Sequence, residues 1–507
     1  MHAQRVLQAA LLAALSGIGA PDRFVPIMTE HDADDEINAI AIHSFSTLFT
    51  AYDVMEHLAT STGRRMALQW CHDTNISKVY LETYLDGMTA NSSVLQASRH
   101  AFEAAGIAVS GGICTTFVGK RAVGPHETGR VSCYTNQSSQ DRLVAHFEYA
   151  AKHFDEIIVD DFFFTNCQCS ECQTALKAGD ITVGRWHSHF HNKSDASCPI
   201  GCPWANYRTA LMAGVSKRVL AAARGVNPVV NITLKYPQWY DSYQDNGYDV
   251  MQQTAVFSAI FAGTEARNYA DQKWGGFPAY TSFFVMRWLT DVAAASRHKV
   301  NGGWYDASGT SPASYLEQAR QTILGGARES FLFSYGGLQS GVPADDVAVL
   351  RQHQAELSSV AAEVAQRDLV GILAYKPPNS HGGCRSYFGH ECARGEVLVY
   401  SFVGMLGFPL LPTSTFPNQA RSAFFSVHAL YDKNFTSQLV ALLHTGATVL
   451  LTDGLADAIN TTEVMHALLR RPTVRVLRVN GDPARLLSHP PPELPALRAA
   501  LLGPLGV

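Results

Sequence analysis

The stretch EIIVDDFFFTNCQC, Glu156 to Cys169, decides the fold. Ile157-Ile158-Val159 is a short apolar run bounded by polar residues, the composition of a strand buried on both faces of a parallel sheet. The run breaks into two carboxylates, Asp160 and Asp161, and then an aromatic wall, Phe162 to Phe164. Charge at the end of a buried strand is costly unless it is paired or used. In a parallel barrel, that end of the strand is where catalytic groups sit. Such a pair can also simply cap the loop that follows. Recurrence of the pattern along the chain favours the catalytic reading.

Working outward, apolar runs appear at Phe24–Met28, Val79–Leu81, Ile107–Val109, Ile157–Val159, Val229–Leu234, Phe257–Phe261, Val300–Tyr305 and Ser330–Phe333. Helical stretches lie between most of them, among them Ser93–Ala105, Gln140–Phe154, Ala205–Ala223 and Ala313–Arg328. Eight runs with intervening helices predict a (β/α)8 TIM barrel over residues 24–340. Ile37–Ile42 is the alternative first strand. Polar residues follow nearly every run: Glu30, His31 and Asp32; Glu82, Tyr84 and Asp86; Asp160 and Asp161; Lys235, Tyr236 and Trp239; Thr264, Glu265 and Arg267; Trp304 and Asp306; Tyr335. One such residue is loop chemistry, but several at equivalent positions converge on one rim.

Residues 367–475 read as a second unit. LVGILAYKPP, VLVYSFVGMLGFPLLPTS and SQLVALLHTGATVLLTDGLADAI give strand, helix–turn–strand, and helix–strand in succession. That is a smaller, doubly wound, flavodoxin-like α/β domain. No G-x-G-x-x-G follows its first strand, so its reading is structural or homo-oligomerising, and no cofactor is expected. The tail, 476–507, is Pro- and Leu-rich and reads as peripheral.

The chain has 507 residues, 47% hydrophobic and 16% charged, with a net charge of −5. This is a globular composition without the clustered Lys and Arg that nucleic acid demands. Residues 1–20 resemble a secretory signal peptide, and no other stretch is long and apolar enough to span a membrane. Seven N-x-[ST] sequons, at Asn75, Asn91, Asn136, Asn192, Asn231, Asn434 and Asn460, exceed the roughly two expected by chance. Together these features predict a secreted glycoprotein. Ten cysteines agree with an oxidising compartment. Cys167, Cys169, Cys172, Cys198 and Cys202 are expected to form disulfides that pin the long loop after the fourth strand, and Cys384 and Cys392 a local pair. Zinc on CQCSEC with His187, His189 and His191 is the competing reading, but C-x-C-x-x-C matches no common structural zinc spacing, and no metal is assigned.

The motifs VDDFFF, LKYPQWY, GTEAR and NGGWYD resemble those of an uncharacterised group of barrel glycoside-hydrolase-like proteins. The two-domain order resembles β-galactosidases that carry a glutamine-amidotransferase-like domain. Those enzymes place Glu after strands four and seven, where this chain has Asp, so their residue assignment does not transfer. The α-galactosidase clan is similar in pattern, with an Asp nucleophile after strand four and an acid after strand six. The resemblance and the carboxylate inventory imply a retaining glycoside hydrolase acting on carbohydrate. Asp161 is the expected nucleophile and Glu265 the general acid/base, with Asp160 able to exchange with them. Glu30, His31, Glu82, Tyr84, Lys235, Trp239, Arg267, Trp304 and Asp306 are expected at the sugar. Two alternatives remain: Lys235 as a Schiff-base lysine in an aldolase-like barrel, and a non-catalytic carbohydrate-binding barrel.

Overall fold

A computed structural model describes residues 43–123, 131–160, 162–178, 203–267, 277–307, 309–340, 344–382 and 395–506. The first sheet contains β1 (Ser44–Phe49), β2 (Ile76–Leu85), β3 (Met88–Thr89), β4 (Ala108–Ile113), β5 (Glu156–Val159), β6 (Asn231–Tyr236), β7 (Ala259–Gly263), β8 (Lys299–Asp306) and β9 (Glu329–Phe333). The short β3 pairs antiparallel with the end of β2. The other eight are parallel neighbours in chain order, and β1 pairs with both β9 and β2, which closes the barrel. Helices on the outside follow from spacing and capping. In Gln137–Ala151, Leu143, Phe147, Ala150 and Ala151 face inward, and the Asn136 side chain accepts the Ser139 N–H.

The first strand differs from the sequence expectation. Phe24–Met28 and Ile37–Ile42 lie outside the described residues, and β1 is SFSTLF instead. A search for apolar runs misses it because Ser46 and Thr47 interrupt it. Both hydroxyls are satisfied internally: Ser46 Oγ donates to Glu329 Oε1 at 2.6 Å, and Thr47 Oγ1 to the Leu332 carbonyl at 2.8 Å.

The bore is layered by the period of two along each strand. At its base, Lys78 lies 2.9 Å from Glu156 and 3.7 Å from Glu329, and Tyr80 donates to Glu329 at 2.9 Å. Above sits an apolar layer of Leu48, Tyr80, Ile158, Phe261, Trp304 and Phe331, with Phe333 packed on it. Trp304 stacks on Phe331 with centroids 3.9 Å apart. The two glycines of NGGWYD make room for neighbours. A Cβ on Gly302 would come within 2.2 Å of the Glu329 carbonyl oxygen and 2.7 Å of the Phe261 ring. Gly302→Ala should therefore cost about 1–3 kcal/mol in denaturant unfolding, and an unchanged midpoint would show that the strands can spread.

The second sheet is all parallel in the order β11-β10-β12-β13-β14, built from β10 (Ile372–Tyr375), β11 (Leu410–Thr413), β12 (Ser422–Phe425), β13 (Thr448–Thr452) and β14 (Val474–Leu477). Read by chain position this is 2-1-3-4-5, the flavodoxin-like order. Two of its strands, β12 and β14, were not read from the sequence, although they are no shorter than β10 and β11, which were. The tail is not peripheral: Leu497 and Leu501 of helix Leu494–Leu502 are buried, and the Leu501 carbonyl accepts the Ser422 hydroxyl at 2.6 Å.

The two sheets are joined through the loop after β6, part of the LKYPQWY motif. Asp241 on that loop bonds His428 Nε2 at 2.7 Å and accepts the Leu398 N–H at 2.6 Å. Lys376 Nζ lies 4.0 Å from Asp241 and 4.3 Å from the Trp288 ring centroid, and donates to Ser380. Asp241, Lys376 and His428 are all buried. Tyr240 bonds Ser401 at 3.2 Å, and Phe284 stacks on Tyr400.

Candidate active site

One step above the apolar layer, the same strands present charged groups. Glu82 follows Tyr80 by two residues, Asp160 follows Ile158, and Glu265 lies four beyond Phe261. Glu82 and Glu265 are each 2% exposed, Asp160 8% and Lys235 2%. All four therefore lie in surroundings where charge must be partnered.

On one side, Glu82, Cys114 and Asp160 bring a ligand atom each within 4.8 Å of one another. The register explains this: Glu82 pairs with Gly112, and Ile113 with Val159, which places Cys114 and Asp160 next along. Glu82 Oε2 accepts the Ala51 N–H at 2.9 Å, at the start of helix Ala51–His57. Burial, above all, pushes the Glu82 carboxyl up to about 8, and the charges of Asp53 and Asp86 add to this. Burial also raises the Cys114 thiol, with Asp160 and Glu82 contributing. Cys114 was not singled out in the sequence. Its position two residues beyond Gly112 is the signal that period-two counting would have used.

On the other side, Lys235 at the end of β6 forms a buried ion pair with Glu265. Its Nζ lies 4.2 Å from the Trp304 ring centroid. This cation–π contact places Trp304 beneath the lysine as the floor of the charged layer.

The remaining candidates fall elsewhere. Glu30, His31 and Asp161 lie outside the described residues, as does the side chain of Asp306, the last residue of β8. Tyr84 faces the outer helices: its hydroxyl donates to the Phe117 carbonyl at 3.0 Å and its ring stacks on His146 at 3.7 Å. Trp239 is 8% exposed and packs edge-on against Phe164 and Tyr248. Its loop, expected at the sugar because it lacks a core pattern, serves the domain junction. Arg267 is partly exposed just past Glu265.

A second cluster sits on the same rim. Cys133, Cys167, Cys169 and Cys172 bring their sulfurs within 4.8 Å of one another, and all four are buried. No disulfide links any of the described cysteines, so the bridges expected for Cys167, Cys169 and Cys172 are not formed here. Cys198, Cys202, Cys384 and Cys392 lie outside the described residues.

The fold has many counterparts among solved structures. A β-galactosidase from Rahnella sp. R3 aligns with a TM-score of 0.55 at 12% identity, over 82% of this chain and 71% of that one. An exo-β-1,4-mannosidase from Opitutaceae bacterium strain TAV5 aligns at 0.51 and 11% identity, over 84% and 79%. At such identities the likeness speaks for the fold. In sequence, an uncharacterized protein of Saccharolobus solfataricus is 25% identical over 278 residues, and the chain spans 44% of its length. The model of the family described as "Probable glycosyl hydrolase, catalytic domain" matches residues 34–367, well over half the chain, and the protein belongs to that family.

Proposed function

We propose that the protein is a retaining glycoside hydrolase working through Glu82, Asp160 and Glu265. The observation that carries this reading is the unequal environment of the buried carboxyls. Retaining glycoside cleavage needs one carboxyl protonated, to release the leaving oxygen, and one ionised, to attack the anomeric carbon. Glu82, pushed up to about 8 by burial, supplies a proton held through neutral pH beside Asp160. Glu265, paired with Lys235, is favoured as the anion. The acid therefore comes from the Glu82–Asp160 pair and the nucleophile is Glu265, an exchange of the roles expected from the sequence. Asp161 and Asp306 are the next candidates. Trp304 and Lys235 line the base of the sugar site.

The period of two supports Asp160 over Asp161, because Ile158 belongs to the bore's apolar layer and Asp160 is the next residue of the same parity. Lys235 as a Schiff-base nucleophile is disfavoured, since an ammonium held in an ion pair is not nucleophilic. Secretion and glycosylation remain part of the proposal on the sequence evidence. Incubation with aryl β-galactosides, β-mannosides and their α-anomers should release the aryl group from at least one, with product of unchanged anomeric configuration by NMR. Inverted product would remove the nucleophile. Sugar binding without turnover across the panel would favour a carbohydrate-binding barrel.

A further inference from the structure

We propose that Cys133, Cys167, Cys169 and Cys172 bind one zinc ion as a tetrathiolate on the barrel rim. The Sγ atoms of Cys133, Cys169 and Cys172 are 3.7, 3.5 and 3.7 Å apart in their three pairings. A tetrahedral ion with zinc–sulfur bonds of about 2.3 Å separates its ligands by about 3.8 Å. A disulfide brings two sulfurs to about 2.05 Å and leaves the others apart. Here no pair is singled out.

The surroundings suit bound thiolates. The Val123 N–H points to Cys167 Sγ at 3.4 Å, and Thr135 Oγ1 lies 3.0 Å from Cys172 Sγ. Cys172 lies in the first turn of helix Ser170–Ala178, whose N-terminal end favours negative charge. Binding would release the thiol protons, and the four thiolates with a dication leave a net charge of −2.

The chain path gives the ion a task. Cys133 belongs to the segment after β4, and the other three to the segment after β5, which begins at Asp160. Before Cys133 a short bridge pairs Arg121 with Ser132, and the Gln168 N–H donates to the Val123 carbonyl at 2.6 Å. An ion would clamp these two rim segments together and hold the wall beside Asp160. All-sulfur tetrahedral ligation selects zinc or iron over calcium and magnesium.

Full-length protein purified without chelator should carry about one zinc per chain by plasma mass spectrometry. Four thiols should resist a disulfide reagent until a strong chelator is added, and cobalt(II) exchange should give the intense visible bands of tetrahedral thiolate cobalt. Cys169→Ser and Cys172→Ser should lose the metal, while Cys71→Ser, a buried cysteine outside the cluster, should keep it. Metal content of the parent decides the matter even where a variant fails to fold. Metal-free protein with free thiols, disulfides among the four, or stoichiometric iron would each overturn the assignment.

Discussion

Replacing Asp160 by Asn or Glu82 by Gln is expected to lower kcat on a cleaved glycoside by about 10²–10⁴-fold, the size of a lost general acid. Glu265→Gln should cost at least as much, and Glu265→Ala, which leaves room for azide at the anomeric carbon, should be partly rescued by it. The parent's rate should follow a bell in pH. Its alkaline limb should fall near pH 8, where Glu82 loses its proton, and its acid limb should lie lower, where the ionised partner gains one. The stability linked to Glu82 should also fall toward alkaline pH. Its folded pKa is raised above the ordinary 4.5, so the stability linked to its protonated form is complete below that value and is lost as pH rises toward 8. Glu82→Gln should therefore melt above the parent at neutral pH and not at pH 4. Asp160→Asn should stay within about 1 kcal/mol of the parent in unfolding. Near-normal turnover in both the Glu82 and Asp160 variants would remove the pair from catalysis. Unfolding of Asp160→Asn would instead support a loop-capping role.

The largest stability effect is expected at the domain junction. Burial alone would raise Asp241, but His428 and Lys376 outweigh it and hold the carboxyl below its ordinary value. Asp241→Ala strands a buried lysine and a buried histidine and should cost about 3–5 kcal/mol. Burial also keeps His428 below the ordinary 6.5. As pH falls below that value the unfolded chain takes up a proton that the buried imidazole resists, so stability should decline toward pH 5. Calorimetry of the parent should show the barrel and second sheet melting together, whereas Asp241→Ala should split or broaden the transition. A loss under 1 kcal/mol would mean that stacking, as in Phe284–Tyr400, carries the junction alone.

Seven of the eight barrel strands were legible from short apolar runs in or beside them, even where polar or glycine residues interrupt the strand itself, as in NITLKY of β6 and KVNGGWYD of β8. Ile157 to Val159 is the clearest, and β5 spans Glu156–Val159. β1 was not, since Ser46 and Thr47 look polar in sequence and only become core residues once Glu329 and Leu332 arrive from the other end of the chain. The candidate site was legible as an inventory of carboxylates after strand ends. What the sequence could not give was partnership. That Lys235 pairs with Glu265 just beyond the neighbouring strand, that Cys133 joins a cluster beginning at Cys167, and that Tyr240 and Asp241 face another domain are all long-range facts. Trp239 shows the same limit: an aromatic on a polar loop suggests a ligand, yet here it meets Phe164 and Tyr248.

The stack of Trp304, Phe331 and Phe333 across the bore has an electrical meaning. With Leu48, Ile158 and Phe261 it sets an apolar barrier between the acids at the mouth and Lys78, Glu156 and Glu329 at the base, and the one phenol of that layer, Tyr80, turns its hydroxyl down to Glu329. Protons for Glu82 must therefore arrive from the open end, and the two charged storeys behave as separate circuits. Substitutions in one should leave titration of the other unmoved, and pairs such as Glu329→Gln with Glu82→Gln should add without coupling, within about 0.5 kcal/mol.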